Sequence, residues 1–135
     1  MPIEKMALKG KPCIHLYLVV PAEKEEEADA LFKSHVGFMK KTHAIGAVGT
    51  EPRILEYSIA KGKEMNDPMD PSKGETGNIM YYMAETYNAA SGVAGHMSIA
   101  ASKWADGFAK FNEVTGKYAN FMAPGLATVC GTMHV

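Results

Sequence analysis

Histidine, tyrosine and cysteine are the residue types in this 135-residue chain that are best suited to acid–base or nucleophilic chemistry. Histidine exchanges protons near neutral pH, and a tyrosine hydroxyl can orient a developing oxyanion. The candidate acid–base residues are His96 and His15, and the residues expected to shape a pocket around them are Tyr17, His35 and His134. Together these side chains predict a site that takes a proton from a phenol or from an acidic carbon.

Each histidine also has a structural explanation. A lone histidine on an apolar helix face, such as His35, is often a hydrogen-bonded core residue, and His15 and His134 can bond to each other or to the backbone. His43, close to Lys41 at a predicted helix end, is interpreted as a partner of the helix dipole. Four histidines can converge on a metal, but no His-x-His or His-x3-His spacing brings them together. We therefore expect no metal and no cofactor.

Hydrophobic spacing predicts the elements that hold these side chains. Cys13 to Val20 is a short run rich in Leu and Val, closed by Pro21, which is typical of a strand. The segment Glu23 to His43 predicts an amphipathic helix, because apolar residues and one histidine recur at three- and four-residue steps. These positions are Ala28, Leu31, Phe32, His35 and Met39.

The second half of the chain predicts two further strands, a helix and a last strand. Arg53 to Ala60 and Asn78 to Tyr87 have the composition of strands. Between them, Lys61 to Asn78 contains two Asp-Pro pairs and three glycines, which predicts a long loop that is mobile or packed on a partner. Ala89 to Phe111 predicts a helix that its glycines bend or break, and Leu126 to Val135 predicts the fourth strand.

The order strand, helix, strand, strand, helix, strand is the split βαβ arrangement of ferredoxin-like α+β domains. It predicts one domain over residues 1–135, with a four-stranded antiparallel sheet and both helices on one face. Every predicted strand carries apolar or aromatic residues on both sides. The open face therefore needs a cover, and we expect a homodimer through that face.

The first and fourth strands are neighbours in this topology, and directly opposed residues share a face. A trial register puts His15, Tyr17 and His134 on one polar face. The opposed pairs in this register are Cys13 with His134, His15 with Thr132, and Tyr17 with Cys130.

Composition excludes several classes of protein. Lys plus Arg is 14 and Asp plus Glu is 15, which gives a net charge of −1 with no basic cluster, so nucleic-acid binding is not expected. The longest apolar run, Leu16 to Pro21, is far shorter than the roughly 20 residues of a spanning helix. Cys13 and Cys130 stand far apart, and the first residues do not resemble a signal peptide. We expect a cytoplasmic protein with reduced thiols.

The segment NIMYYMAETYNAASGVAGH resembles the antibiotic-biosynthesis monooxygenase family of dimeric α+β barrels. The family's signature is an acidic residue on the third strand, an aromatic residue two positions on and a histidine on the next helix, here Glu85, Tyr87 and His96. The family usually has tryptophan in place of Tyr87 and often a second histidine in place of Ala101.

The resemblance implies a small homodimeric protein with a polar-lined pocket between sheet and helices. It further implies a cofactor-independent monooxygenase that acts on an aromatic, quinone-like or polyketide-like small molecule. The alternative is a non-enzymatic ligand-binding or stress-associated dimer in which the same histidines are structural.

Overall fold

The computed structural model describes residues 8–45 and 52–131. Over these ranges the protein has an α+β fold with one sheet in the strand order β2-β3-β4-β1-β5. Neighbouring strands are antiparallel, except that the two-residue β2 is parallel to β3. The elements are β1 (Pro12–Val20), α1 (Glu25–Thr42), β2 (Ala44–Ile45), β3 (Arg53–Met65), β4 (Glu75–Tyr87), α2 (Ala90–Lys103), α3 (Ala105–Tyr118) and β5 (Ala119–Thr128).

All three helices pack on one side of the sheet, which we call the inner face. Side chains alternate between the two faces of a strand, and the buried, inward residues of β1 are aliphatic. Their antiparallel partners on β4 share the inner face, and Tyr81 among them stacks on Phe32 of α1 with ring centroids 5.1 Å apart. The inward pairs are Ile14 with Glu85, Leu16 with Met83, and Leu18 with Tyr81.

The first strand and the amphipathic first helix are confirmed. The helix begins at Glu25 rather than Glu23, because residues 22–24 form a short 3-10 turn after Pro21. Its first turn is acidic and its last turn is basic, which suits the helix dipole. The stripe that includes His35 is buried against the sheet, as predicted.

The predicted loop from Lys61 to Asn78 is wrong for half of its length, because residues 61–65 and 75–78 are strand. The two strands continue past the predicted ends to Met65 and from Glu75, so that they form one long hairpin. The turn is compact: Asn66 N–H donates to the Gly74 carbonyl at 2.9 Å, and Gly74 has a φ of 82°, which glycine adopts without strain. Backbone pairing extends these strands where the side chains give no strand pattern.

The predicted second helix is divided in two, as its glycines indicated. The break falls at Trp104, whose φ of −140° and ψ of 36° are not helical. A Cβ atom at Gly107 would lie 2.1 Å from the Trp104 indole, so glycine there lets the indole lie against the start of α3. Within the described ranges, no helix is long and apolar enough to span a membrane.

The predicted position and register of the last strand are wrong. The first and last strands are indeed antiparallel neighbours, but β5 runs from Ala119 to Thr128 instead of from Leu126 to Val135. The partner of Tyr17 is therefore Phe121 and not Cys130. The helix α3 ends at Tyr118 and β5 begins directly after it, about seven residues before the predicted start of the strand at Leu126. His134 and Thr132 lie outside the described residues.

Candidate functional site

A buried cluster of two histidines and one glutamate lies between the inner face and the helices. Strand alternation directs Glu85, near the end of β4, inward, and the buried stripe of α1 carries His35. His96 comes from α2, one helical turn before the buried Ala100. Glu85, His35 and His96 are 0%, 2% and 5% exposed. One potential ligand atom from each lies within 4.8 Å of the others.

The Glu85 carboxyl group is only half satisfied by the protein. Its Oε1 accepts a hydrogen bond from the Tyr87 hydroxyl at 2.9 Å, whereas its buried Oε2 has no hydrogen-bond partner within residues 8–45 and 52–131. Burial raises the pKa of Glu85 to about 8, and the Tyr87 hydrogen bond opposes this shift. Because this pKa lies above 7, the carboxyl group is mostly protonated at neutral pH.

A chain of hydrogen bonds fixes which nitrogen of His96 carries its proton. The Thr42 hydroxyl donates to the Phe38 carbonyl at 2.8 Å, so it accepts from Nδ1–H of His43. The Nε2 of His43 then carries a lone pair and accepts from Nδ1–H of His96 at 3.0 Å. The network therefore assigns the free lone pair of His96 to Nε2.

His35 is held by a tyrosine and by aromatic rings. Its Nδ1 lies 2.6 Å from the Tyr57 hydroxyl, and its ring stacks on Phe111 and meets Trp104 edge-on. Burial, together with the nearby His96 and His43, lowers the pKa of His35 to about 3. Burial alone lowers the pKa of His96 to about 4. All of these imidazoles are neutral at pH 7.

A cavity of about 30 Å³ opens beside the three polar groups. Its wall is otherwise mainly apolar, with contributions from Ile14, Met83, Ala100, Trp104, Phe108 and Phe111. Met97 and Met122, which also line it, are 38% and 40% exposed and lie where the cavity meets the surface. The space holds about one water molecule in its present shape.

Of the predicted site residues, the structure brings His35 and His96 together. The prediction that His15 and Tyr17 share a pocket with them is wrong, because both side chains lie on the outer face, the side of the sheet away from the helices. There His15 Nδ1 lies 2.6 Å from the Tyr82 hydroxyl. The helices pack on the face that carries the aliphatic residues of β1. Because side chains alternate along a strand, the polar residues of β1 lie on the opposite face.

Three residues of the site, Glu85, Tyr87 and Tyr57, were missed as site residues and one, His43, was misassigned. Glu85 and Tyr87 were named only for the family resemblance, although Glu85 is the centre of the cluster. His43 bonds to His96, so its interpretation as a simple helix-dipole partner is wrong. Tyr57 was predicted on one face of the second strand with Leu55 and Ile59, but nothing in that pattern indicates which helix residue it meets.

Comparisons with known proteins add no relative. A scan against protein-family models finds no model that matches the chain, and a search of the curated proteins finds no match. Fold and site therefore define the class: a small α+β protein with an antiparallel sheet, helices on one face and a buried His–Glu–His cluster between them.

Proposed function

We propose that the cavity binds a small, flat aromatic molecule that carries a hydroxyl or ketone group, and that the protein oxygenates it without an organic cofactor. One observation carries the proposal: the mainly apolar cavity has a buried carboxyl oxygen, Glu85 Oε2, that has no hydrogen-bond partner among the residues that the structure describes. A buried polar atom left unpaired costs about 1–3 kcal/mol. A ligand with a polar group at this point offsets that cost, and a pure hydrocarbon does not.

Entry to the cavity requires the side chains at its mouth to move. Met97 and Met122 are partly exposed and belong to different elements, α2 and β5. Methionine is unbranched and adapts readily to ligands of different shape. Rotation of these two side chains widens the cavity from the size of one water molecule to that of an aromatic ring.

The lone pair on Nε2 of His96 supplies the proton acceptor. Removal of a proton from a phenol or an activated ring CH₂ gives the electron-rich anion that reacts with O₂. The net change converts CH₂ and O₂ into C=O and H₂O. The residues that carry the family resemblance support this chemistry by their contacts: Tyr87 bonds to Glu85, and His96 Nδ1 lies 3.9 Å from Glu85 Oε1.

We also assign the fold to the ferredoxin-like βαββαβ class. The four long strands have the order β3-β4-β1-β5 with antiparallel neighbours, and helices follow the first and the third of them in the chain. The short β2 is an addition at the β3 edge.

A second copy of the chain is the proposed cover of the outer face, which would complete a dimeric α+β barrel. The outward residues of β1 and β4 are uncharged, and Tyr82 and Phe121 are 38% and 53% exposed. A central strip of the face that lacks charged residues and carries exposed aromatic side chains is suited to a two-fold contact with itself.

Light scattering at micromolar concentration tests the dimer. We expect about twice the 14.6 kDa chain mass for the wild type. Tyr82→Glu should give the monomer, because it buries an unpaired charge in the contact. Met69→Glu, at the exposed hairpin tip, is the matched control and should remain dimeric. A monomeric wild type contradicts the dimer.

We also propose a cytoplasmic location. Cys13 is buried and Cys130 is exposed, and both are free thiols. Free thiols are typical of reducing compartments.

Trp104, the only tryptophan of the chain, lines the cavity and makes ligand binding directly measurable. We expect 1-naphthol, juglone or anthrone to quench its fluorescence saturably. Ala100→Leu fills the cavity and should abolish the quenching, whereas Ala101→Leu, on the exposed side of the same helix, should not. Equal affinity in the two variants would contradict binding in this cavity.

Non-enzymatic binding is the second candidate, favoured by the fact that His35, His43 and His96 all bond to other protein side chains. Incubation with anthrone under ¹⁸O₂ separates the two. An enzyme incorporates one labelled oxygen into the ketone faster than buffer does. A binding protein quenches Trp104 fluorescence without such incorporation.

A further inference from the structure

We propose that His35, Glu85 and His96 bind one divalent first-row transition-metal ion, with zinc and iron(II) the best matches. Each residue offers one ligand atom, and the three atoms lie within 4.8 Å of one another. Two imidazole nitrogens and one carboxylate oxygen are the protein ligands of many catalytic zinc sites and of non-haem iron(II) sites. The inference does not depend on the aromatic ligand, because an ion can bind these atoms without it.

The three ligands are held in place by the fold before any ion arrives. They come from α1, β4 and α2, and each is at most 5% exposed. Bonds of about 2.0–2.2 Å to a tetrahedral ion place two ligand atoms roughly 3–3.5 Å apart. The side chains therefore need only a small contraction to surround an ion.

Every proposed ligand has a second residue that orients it. The Nδ1 atoms of His35 and His96 bond to Tyr57 at 2.6 Å and to His43 at 3.0 Å, and Glu85 Oε1 accepts from Tyr87 at 2.9 Å. Metal-binding histidines almost always donate their other N–H in this way, which fixes the ring and its tautomer. For His96 the hydrogen-bond chain through His43 leaves the Nε2 lone pair available.

The unpartnered oxygen and the cavity complete the argument. Glu85 Oε2 is buried and accepts no hydrogen bond from the described part of the chain, and an ion would satisfy it. The cavity of about 30 Å³ beside it has room for one water molecule or one ligand atom on the ion. Three protein ligands and one open position are the arrangement of catalytic rather than structural metal sites.

The donor set also predicts which ions will not bind. Magnesium and calcium prefer ligand sets made of oxygen atoms, whereas two of these three donors are nitrogen. The site should therefore take Zn²⁺, Fe²⁺ and Co²⁺ and should not take Mg²⁺.

The test uses the untagged 135-residue chain after treatment with EDTA, without any organic ligand. Calorimetry with Zn²⁺ and visible absorption with Co²⁺ should report about one ion per chain, and Mg²⁺ should give no signal. Glu85→Gln and His96→Gln should each weaken binding by about 100-fold or more. The matched controls are His15→Gln and Glu56→Gln, outside the cluster on β1 and β3, and they should bind as the wild type does.

A wild type that binds far less than one ion per chain would overturn the proposal, as would equal affinities of Glu85→Gln and Glu56→Gln. Wild-type NMR spectra keep the test decisive if a site variant does not fold. Zn²⁺ should then shift the imidazole signals of His35 and His96 but not those of His15, and the reverse pattern refutes the site. If the wild type binds Zn²⁺ but not 1-naphthol, the proposed aromatic ligand is refuted and the metal site is not.

Discussion

The two faces of the sheet each carry a histidine bonded to a tyrosine, in very different surroundings. On the inner face His35 Nδ1 lies 2.6 Å from the Tyr57 hydroxyl, and on the outer face His15 Nδ1 lies 2.6 Å from that of Tyr82. His35 is 2% exposed, whereas Tyr82 is 38% exposed. In a single chain, the same hydrogen bond is therefore shielded from water on one face and open to it on the other.

The difference shows that residue types alone do not define a site. Water can replace a lost partner on the outer face, but it cannot reach the inner pair to the same extent. Burial lowers the pKa of His35 to about 3 and raises the pKa of Tyr57, so the inner pair stays neutral. Such a neutral, fixed imidazole is suited to binding a ligand or an ion.

The largest expected effect is a loss of stability when alanine replaces His35, and the same change at His15 is the comparison. His35→Ala should lower the free energy of unfolding by about 3 kcal/mol, because it leaves a cavity among aromatic rings and an unpaired Tyr57 hydroxyl. His15→Ala should change it by less than about 0.5 kcal/mol. Urea unfolding of EDTA-treated protein, at a concentration at which light scattering reports a monomer, measures both, and equal losses would mean that the two faces do not differ.

Removing only the hydroxyl groups sharpens the comparison. Tyr57→Phe should cost about 2 kcal/mol, since it leaves Nδ1 of His35 buried without a partner. Tyr82→Phe should cost less than about 0.5 kcal/mol, since water can bond to His15 instead. The same urea experiment measures both changes. A larger loss for Tyr82→Phe would contradict the conclusion that His35 and Tyr57 are the pair shielded from water.

His43 tests whether the hydrogen-bond chain orients the inner site. His43→Phe removes the acceptor of His96 Nδ1–H and should weaken Co²⁺ binding by about 10–100-fold. His15→Phe is the control and should leave the affinity unchanged. Calorimetry on the EDTA-treated proteins measures the effect, and unchanged affinity in His43→Phe would show that His96 does not need this partner.

The pH dependence of stability should reveal two opposing groups in EDTA-treated protein. The pKa values of His35 and His96 fall to about 3 and about 4 on folding, so the unfolded chain binds more protons below about pH 6.5 and stability falls as pH decreases. The pKa of Glu85 rises to about 8, so the folded chain holds its proton longer and stability falls as pH rises from about 4.5 to 8.

Both trends together predict a maximum of the melting temperature near pH 6.5, since the histidines outweigh the glutamate below that value. Glu85→Gln should remove the decline between pH 6.5 and 8 while leaving the acid decline in place. A decline that persists in this variant would assign the alkaline trend to another group.

Elements whose own side chains carry the pattern were predictable from the sequence. The first strand and α1 each have an apolar face of the right period, and both were placed within two residues. The half of the hairpin next to its turn was not predictable. Residues 61–65 read Lys-Gly-Lys-Glu-Met, in which apolar and polar residues do not alternate. Pairing with β4 determines their structure, and a long-range contact of this kind leaves no local signal.

The same limit applies to the site. His35 and His96 were identified by a helix stripe and a resemblance, both local features. Tyr57 lies opposite Glu85 in the hairpin register. A shift of one residue in the pairing of the two strands would turn the Tyr57 side chain to the other face. The connection between these strands is predicted as a long loop, and a loop does not determine how the strands pair. The assembled cluster therefore depends on pairing that the sequence did not reveal.

The hairpin outgrows the rest of the sheet, with consequences for how the protein opens. β1 ends at Val20, opposite Ile79, so residues 75–78 of β4 extend beyond it. This end is a two-stranded ribbon, and its turn holds Met69 at 91% exposure. Local unfolding should begin there, since few buried contacts oppose it. Amide hydrogen exchange along β4 should therefore slow progressively from Glu75 toward Glu85, so that one strand spans the least and the most protected parts of the protein.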